Sequence, residues 1–111
     1  MSPLAIWSLR PEQIAALPFS ELRSGVDISV LHEAPDGARV AVLRYAPGAT
    51  VPSHRHEGFE YIYVLAGEQS DERGSYGAGS LVVNEPGMTH QVTSRSGCTV
   101  LIIWQRPVVF V

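Results

Sequence analysis

Four histidines occur among the 111 residues, and three of them stand in positions that suit metal chemistry. His54 and His56 flank Arg55, and Glu60 follows four residues after His56. On an extended strand, residues two apart point to the same face, so His54 and His56 aim at one point. Glu60 shares their parity if the strand runs on without a bulge. His90 is distant in the chain, and an antiparallel sheet can bring it beside the other three. Imidazoles and a carboxylate converging inside a barrel suit a first-row divalent metal. Four such ligands close a tetrahedral zinc site. Around six-coordinate iron(II), manganese(II) or nickel(II) they leave two positions for water, substrate or oxygen. The competing reading is a group of surface histidines near a turn.

The segments that must position these residues read as short strands. Val26, Ile28 and Val30 alternate with Asp27 and Ser29, the period-two signature of a half-buried strand. Pro35-Asp36-Gly37 signals a turn, and Arg39 to Tyr45 reads as a second strand ended by Pro47-Gly48. Phe59 to Leu65 is a third apolar run, closed at Gly67, and Glu68 to Glu72 reads as a separate short strand turned by Arg73-Gly74. Ser80 to Asn84 stops at Pro86-Gly87; His90 to Thr93 and Thr99 to Gln105 follow. Val108 to Val111 adds a terminal edge strand, because Pro107 removes a backbone donor just before it. Many short strands with Gly/Pro turns define an antiparallel sandwich or barrel. Residues 1–24 differ: Pro3, Pro11 and Pro18 punctuate them, and Glu12 to Leu17 holds about one helical turn. The expected organisation is an irregular arm over 1–24, packed on the barrel or on a partner subunit, and a barrel over 25–111.

Composition narrows the classes of function. A hydrophobic fraction of 45% supports a real core and not disorder. A net charge of −3 argues against nucleic acid, which rewards a basic stripe. All eight basic residues are arginine, so no lysine can form a Schiff base. Cys98 is the single cysteine; it alternates with Val100 and Ile102 and is expected as a buried core thiol. No stretch approaches the roughly 20 apolar residues of a membrane span, and no signal peptide is evident, so the expectation is a cytoplasmic protein. Tyr61 and Tyr63 have parity opposite to Glu60 and should face outward, toward a dimer interface or the arm. Tyr45, Gln69, Asp71 and Trp104 are candidates for the barrel mouth, each read first as structural.

The larger spacing carries a resemblance. Gly48, five residues, His54-Arg55-His56, three residues, Glu60, six residues, Gly67 follows the first motif of the cupin superfamily. Gly79, Gly87 and His90 resemble the second motif. Here the proline stands directly before Gly87, Ser94 stands where the family often has Asn, and residues 68–78 make a short inter-motif segment. The stretches from Gly67 to Ser80, from Asn84 to His90 and from Gly97 to Thr99 are similar to the cupin-like domain of the ChrR-type anti-sigma factor. The resemblance implies a small all-β cupin barrel, a double-stranded β-helix or jelly roll. It also implies one divalent metal ion per chain, iron, manganese, nickel or zinc, on His54, His56, Glu60 and His90.

Two classes of function follow. One is a metal-dependent enzyme on a small molecule, oxygenase-like, with no second catalytic group evident beside the ligands. The other is a non-catalytic, metal-loaded sensor or ligand-binding module. A structural metal that only staples the barrel is the plainest variant of the second class. Anti-sigma activity itself is not expected to carry over, since the chain starts almost directly with the barrel. A homodimer is expected from the apolar arm and terminal strand.

Overall fold

The computed structural model describes residues 8–111. The first seven residues of the expected arm lie outside the described residues. The described part of the arm holds a single helical turn, α1 (Pro11–Ile14), with proline at its start, where the missing N–H costs nothing. It then forms a strand the sequence reading missed, β1 (Ser20–Arg23), which pairs antiparallel with β2 (Val26–Glu33).

The remaining strands are β3 (Arg39–Tyr45), β4 (Ala49–Arg55), β5 (Glu60–Asp71), β6 (Gly74–Gly77), β7 (Leu81–Asn84), β8 (Thr89–Ser94), β9 (Cys98–Trp104) and β10 (Val109–Phe110). Hydrogen bonding orders them β1-β2-β3-β9-β5-β8-β4-β10, with β6 and β7 also paired to β5. The sheet curls on itself, as the all-β barrel expectation requires. No ladder joins its two ends, β1 and β10, among the described residues.

Alternation drives the curl. In β5, Glu60, Ile62 and Val64 face inward while Tyr61 and Tyr63 face outward, as their parity predicts. Val26, Leu43, Val51, Val92, Val100 and Ile102 add to the same interior. Cys98 lies in this core.

Two expectations are corrected at β5. The run does not end at Gly67; it continues to Asp71, so two expected strands are one. Its first part pairs with β9 and its last residues with β6 and β8. A register shift between Val64 and Ala66 and a φ of 75° at Gly67 let one strand cross from one face of the barrel to the other. A Cβ at Gly67 would stand 2.1 Å from the carbonyl oxygen of Gly97, so only glycine fits this crossing.

Candidate metal centre

Strand register assembles most of the site. His54 on β4 and His90 on β8 are direct antiparallel partners, and their ring centroids are 4.6 Å apart. His56 lies just past the end of β4, so the strand does not run unbroken to Glu60 as the shared-parity reading supposed. Backbone bonds hold it instead. Its N–H donates to the Met88 carbonyl at 2.9 Å, and its carbonyl accepts from Gly87 N–H at 2.8 Å. Pro86-Gly87 therefore forms the turn that pins His56 beside His90, with ring centroids 4.7 Å apart. The shifted proline leaves this turn intact.

The three imidazoles are buried, and one donor nitrogen from each lies within 4.8 Å of the others. His54 Nδ1 donates to the Pro52 carbonyl at 2.8 Å, which leaves Nε2 as its lone-pair nitrogen. His90 Nδ1 donates to Asp71 Oδ2 at 3.0 Å, and its Nε2 is buried with no hydrogen-bond partner among the described residues. A buried imidazole nitrogen without a partner is costly unless something binds it. Orienting a ligating histidine through a carboxylate on its other nitrogen is a recurrent feature of metal sites. The three-histidine cluster fits a divalent cation on both counts.

Glu60 stands against this cluster without belonging to its tight three-residue core. It begins β5, after a turn whose Phe59 N–H donates to Gln105 Oε1 at 3.0 Å. Its Oε1 is 3.0 Å from His56 Nε2 and 4.0 Å from His90 Nε2. Asn84 Nδ2 donates to Oε1 at 2.9 Å, and Trp104 Nε1 donates to Oε2 at 2.6 Å. Burial alone would raise the Glu60 carboxyl. The hydrogen bond and charge of His56, with the Asn84 amide, outweigh it and hold the group below its ordinary value. Burial lowers the His54 imidazole, only partly offset by its bond to Pro52, so that ring is neutral at pH 7.

Asp71 is held in turn. Its Oδ1 accepts from Tyr76 Oη at 3.0 Å and from Arg73 N–H at 2.9 Å. Burial pushes its carboxyl up, and the His90, Arg73 and Tyr76 hydrogen bonds bring it below its ordinary value. The Arg73 guanidinium donates to both Asp71 Oδ2 and Asn84 Oδ1, tying the support of His90 to the support of Glu60.

Asp71 and Trp104, expected near the mouth and as structural residues first, both touch the central residues. Asn84, absent from the expected site, carries a signal in the sequence: it shares inward parity with Val82, directly before the Glu85-Pro86-Gly87 turn. Tyr45 and Trp104 do line a cavity of about 200 Å³, together with His54, Glu60 and the apolar side chains Ile28, Leu43, Val51 and Val92. Gln69 is buried.

This curled antiparallel sheet, with three buried histidines inside it that could hold a metal ion, is a cupin fold. Residues 11–108 match the family model of the ChrR cupin-like domain, and the chain belongs to that family. A crystal structure of Rhodobacter sphaeroides SigE in complex with the anti-sigma ChrR matches with a TM-score of 0.76 at 26% identity, over 83% of this chain and 51% of that one. A candidate dimethylsulfoniopropionate lyase, DddL, of Cereibacter sphaeroides is 33% identical over 64 residues, 54% of this chain and 28% of that protein. The chain thus spans about half or less of these two relatives. An acetylacetone dioxygenase from Acinetobacter johnsonii aligns over 100% of this chain and 80% of its own, with a TM-score of 0.81; at 14% identity the likeness is one of fold. No helix among the described residues is long and apolar enough to cross a membrane.

Proposed function

We propose that this protein is a metal-dependent cupin acting on a small molecule, with one divalent ion held by His54, His56, Glu60 and His90. The observation that carries the reading is the cavity: about 200 Å³ of mostly apolar space borders His54 and Glu60 directly. A purely structural metal needs no ligand-sized space beside it. The fourth ligand is Glu60. Its oxygen lies 3.0 and 4.0 Å from two imidazole nitrogens, within the ~3–4 Å expected of donor atoms sharing one ion at about 2.1 Å each.

The bound ion would supply Lewis acidity and, as iron, manganese or nickel, access to redox chemistry. The chain's own residues set the conditions. Asp71 fixes the His90 ring with Nε2 inward. His56 and Asn84 keep the Glu60 carboxylate ionised, and Trp104 aims it. Leu43, Val51 and Val92 exclude water from the reacting end of a bound molecule.

The test is metal content by elemental analysis on anaerobically purified protein, beside His56→Ala, followed by oxygen-consumption screens. About one iron, manganese or nickel per chain, lost in the variant, is the expected result. One tightly held zinc with no turnover would favour the second reading, a metal-loaded sensor or ligand-binding module. Membership of the ChrR cupin-like family supports that alternative. A homodimer formed through the outward face of β5, and residence in the reducing cytoplasm, complete the proposal. The buried thiol of Cys98 fits that compartment.

A further inference from the structure

The cavity beside the candidate metal centre has a polar feature that metal binding does not use. Two arginines border it, Arg23 and Arg39. Arg39 is neutralised: its Nε lies 3.1 Å from Glu33 Oε2. Arg23 is not. No carboxylate lies within ion-pair distance of it among the described residues. Residues 1–7 contain no Asp or Glu either. Its guanidinium is instead stacked over the Phe110 ring, 4.6 Å from the centroid. Phe110 in turn packs on His54, with ring centroids 5.7 Å apart. Arg23 is on β1 and Phe110 on β10, the two ends of the sheet order, so their contact spans the unpaired seam of the barrel. The seam therefore presents a fixed, half-buried guanidinium at the edge of an apolar cavity, one aromatic ring away from a candidate metal ligand. Burial raises the Tyr45 hydroxyl in the cavity wall, and the Arg23 charge is among the effects that oppose the rise.

From this arrangement we infer that the cavity takes a small organic acid, its carboxylate on Arg23 and its hydrocarbon part along Leu43, Val51 and Val92 toward His54. An unpaired guanidinium recognises a carboxylate bidentately, and its stacking on Phe110 lowers the entropy lost on binding. The apolar walls reject a second charge. Size sets the rest. A volume of about 200 Å³ leaves room for an acid with a short hydrocarbon chain. This assignment rests on the proposed small-molecule reading of the cavity, but the Arg23 contact itself does not require the metal.

The experiment is calorimetric titration of pentanoate and of its neutral isostere pentanamide into the metal-loaded protein, the chelator-treated protein and Arg23→Gln. Pentanoate is expected to bind saturably and at least about tenfold more tightly than pentanamide, the difference made by one charge-assisted contact. In Arg23→Gln that preference is lost, and an unchanged circular dichroism spectrum and unfolding midpoint report that the variant is folded. Equal affinity for acid and amide in the wild type overturns the inference, as does a preference that survives in Arg23→Gln. Absence of saturable binding by propanoate, pentanoate and hexanoate overturns it too. A chain that holds no metal yet keeps the Arg23-dependent preference refutes the metal reading alone.

Discussion

Trp104 and Glu60 face each other across β9 and β5, and the indole Nε1 of Trp104 donates to Oε2 of Glu60 at 2.6 Å. Asn84 is the partner of the same Glu60 on the other side, across β7, and it too donates to the carboxylate. One strand position thus orients an anion from both neighbouring strands. Trp104→Phe keeps the ring and removes the donor. Metal affinity should fall 10- to 100-fold in a chelator-competition assay, the usual cost of losing such an orienting bond. Far-ultraviolet circular dichroism should be unchanged. Unaltered affinity would show that Glu60 is not a ligand.

Asp71 and Arg73 form the matching support for His90. Asp71→Asn leaves His90 Nδ1 with a weaker, uncharged acceptor and should lower metal affinity by about tenfold or more. Arg73→Gln should cost less, because it acts on His90 and Glu60 only through Asp71 and Asn84. Since Arg73 touches Asp71 directly, the double variant should cost less than the sum of the singles. Strict additivity would deny the coupling.

Gly67→Ala tests the crossing strand. The new Cβ would sit 2.1 Å from the Gly97 carbonyl at a φ of 75°. A backbone shift follows, with a loss of about 3 kcal/mol or more in urea unfolding, or failure to fold. Gly37→Ala is the control: its φ is also positive, at 96°, but nothing lies within 4 Å of the added methyl. It should cost only about 1–2 kcal/mol.

The pH dependence of the metal-free protein follows from His54, Glu60 and Asp71. His54 is lowered in the folded state, so the unfolded chain takes up its proton first as pH falls. Stability should therefore decline on going below about 6.5, the unfolded imidazole value. Glu60 and Asp71 are also lowered. Their contribution is full above about 4.3 and is lost as pH falls through their folded values. Unfolding midpoints measured from pH 7.5 to 3.5 should fall in two stages, and His54→Gln should flatten the first. A midpoint that rises between pH 7 and 5 would contradict the burial of a neutral His54.

The outer face of the barrel carries Tyr61, Tyr63, Leu81, Val83 and Ile103, all exposed and adjacent across β7, β5 and β9. An apolar patch of this extent marks an interaction surface. Leu81 is 62% exposed, so Leu81→Glu should leave the fold intact and convert the proposed dimer to a monomer in sedimentation velocity. An unchanged sedimentation coefficient would remove this face from the interface.

Local chemistry made much of this protein readable in the linear chain. Alternation in Val26 to Val30 and Glu60 to Val64 marked inward faces, since side chains in a strand reverse at every residue. The spacing from Gly48 to Gly67 marked the three nearby candidate ligands. Glycine and proline turns marked most strand ends. Tertiary structure decided the rest, because register between distant strands is not written locally. Only the β4–β8 ladder sets His54 opposite His90. Only the turn at Gly87 reveals that a backbone bond, and not strand parity, holds His56. Gly67 read as a strand end because a left-handed glycine ordinarily stops a strand; here the close approach of Gly97 uses it as a crossing. Asn84, Trp104 and Asp71 became supports of the centre because β5 pairs with β7 and β9 at Glu60 and turns into β6 beside β8. Arg23 faces the cavity because β1 joins the sheet across from β10, a contact between residues 87 positions apart that no local pattern encodes.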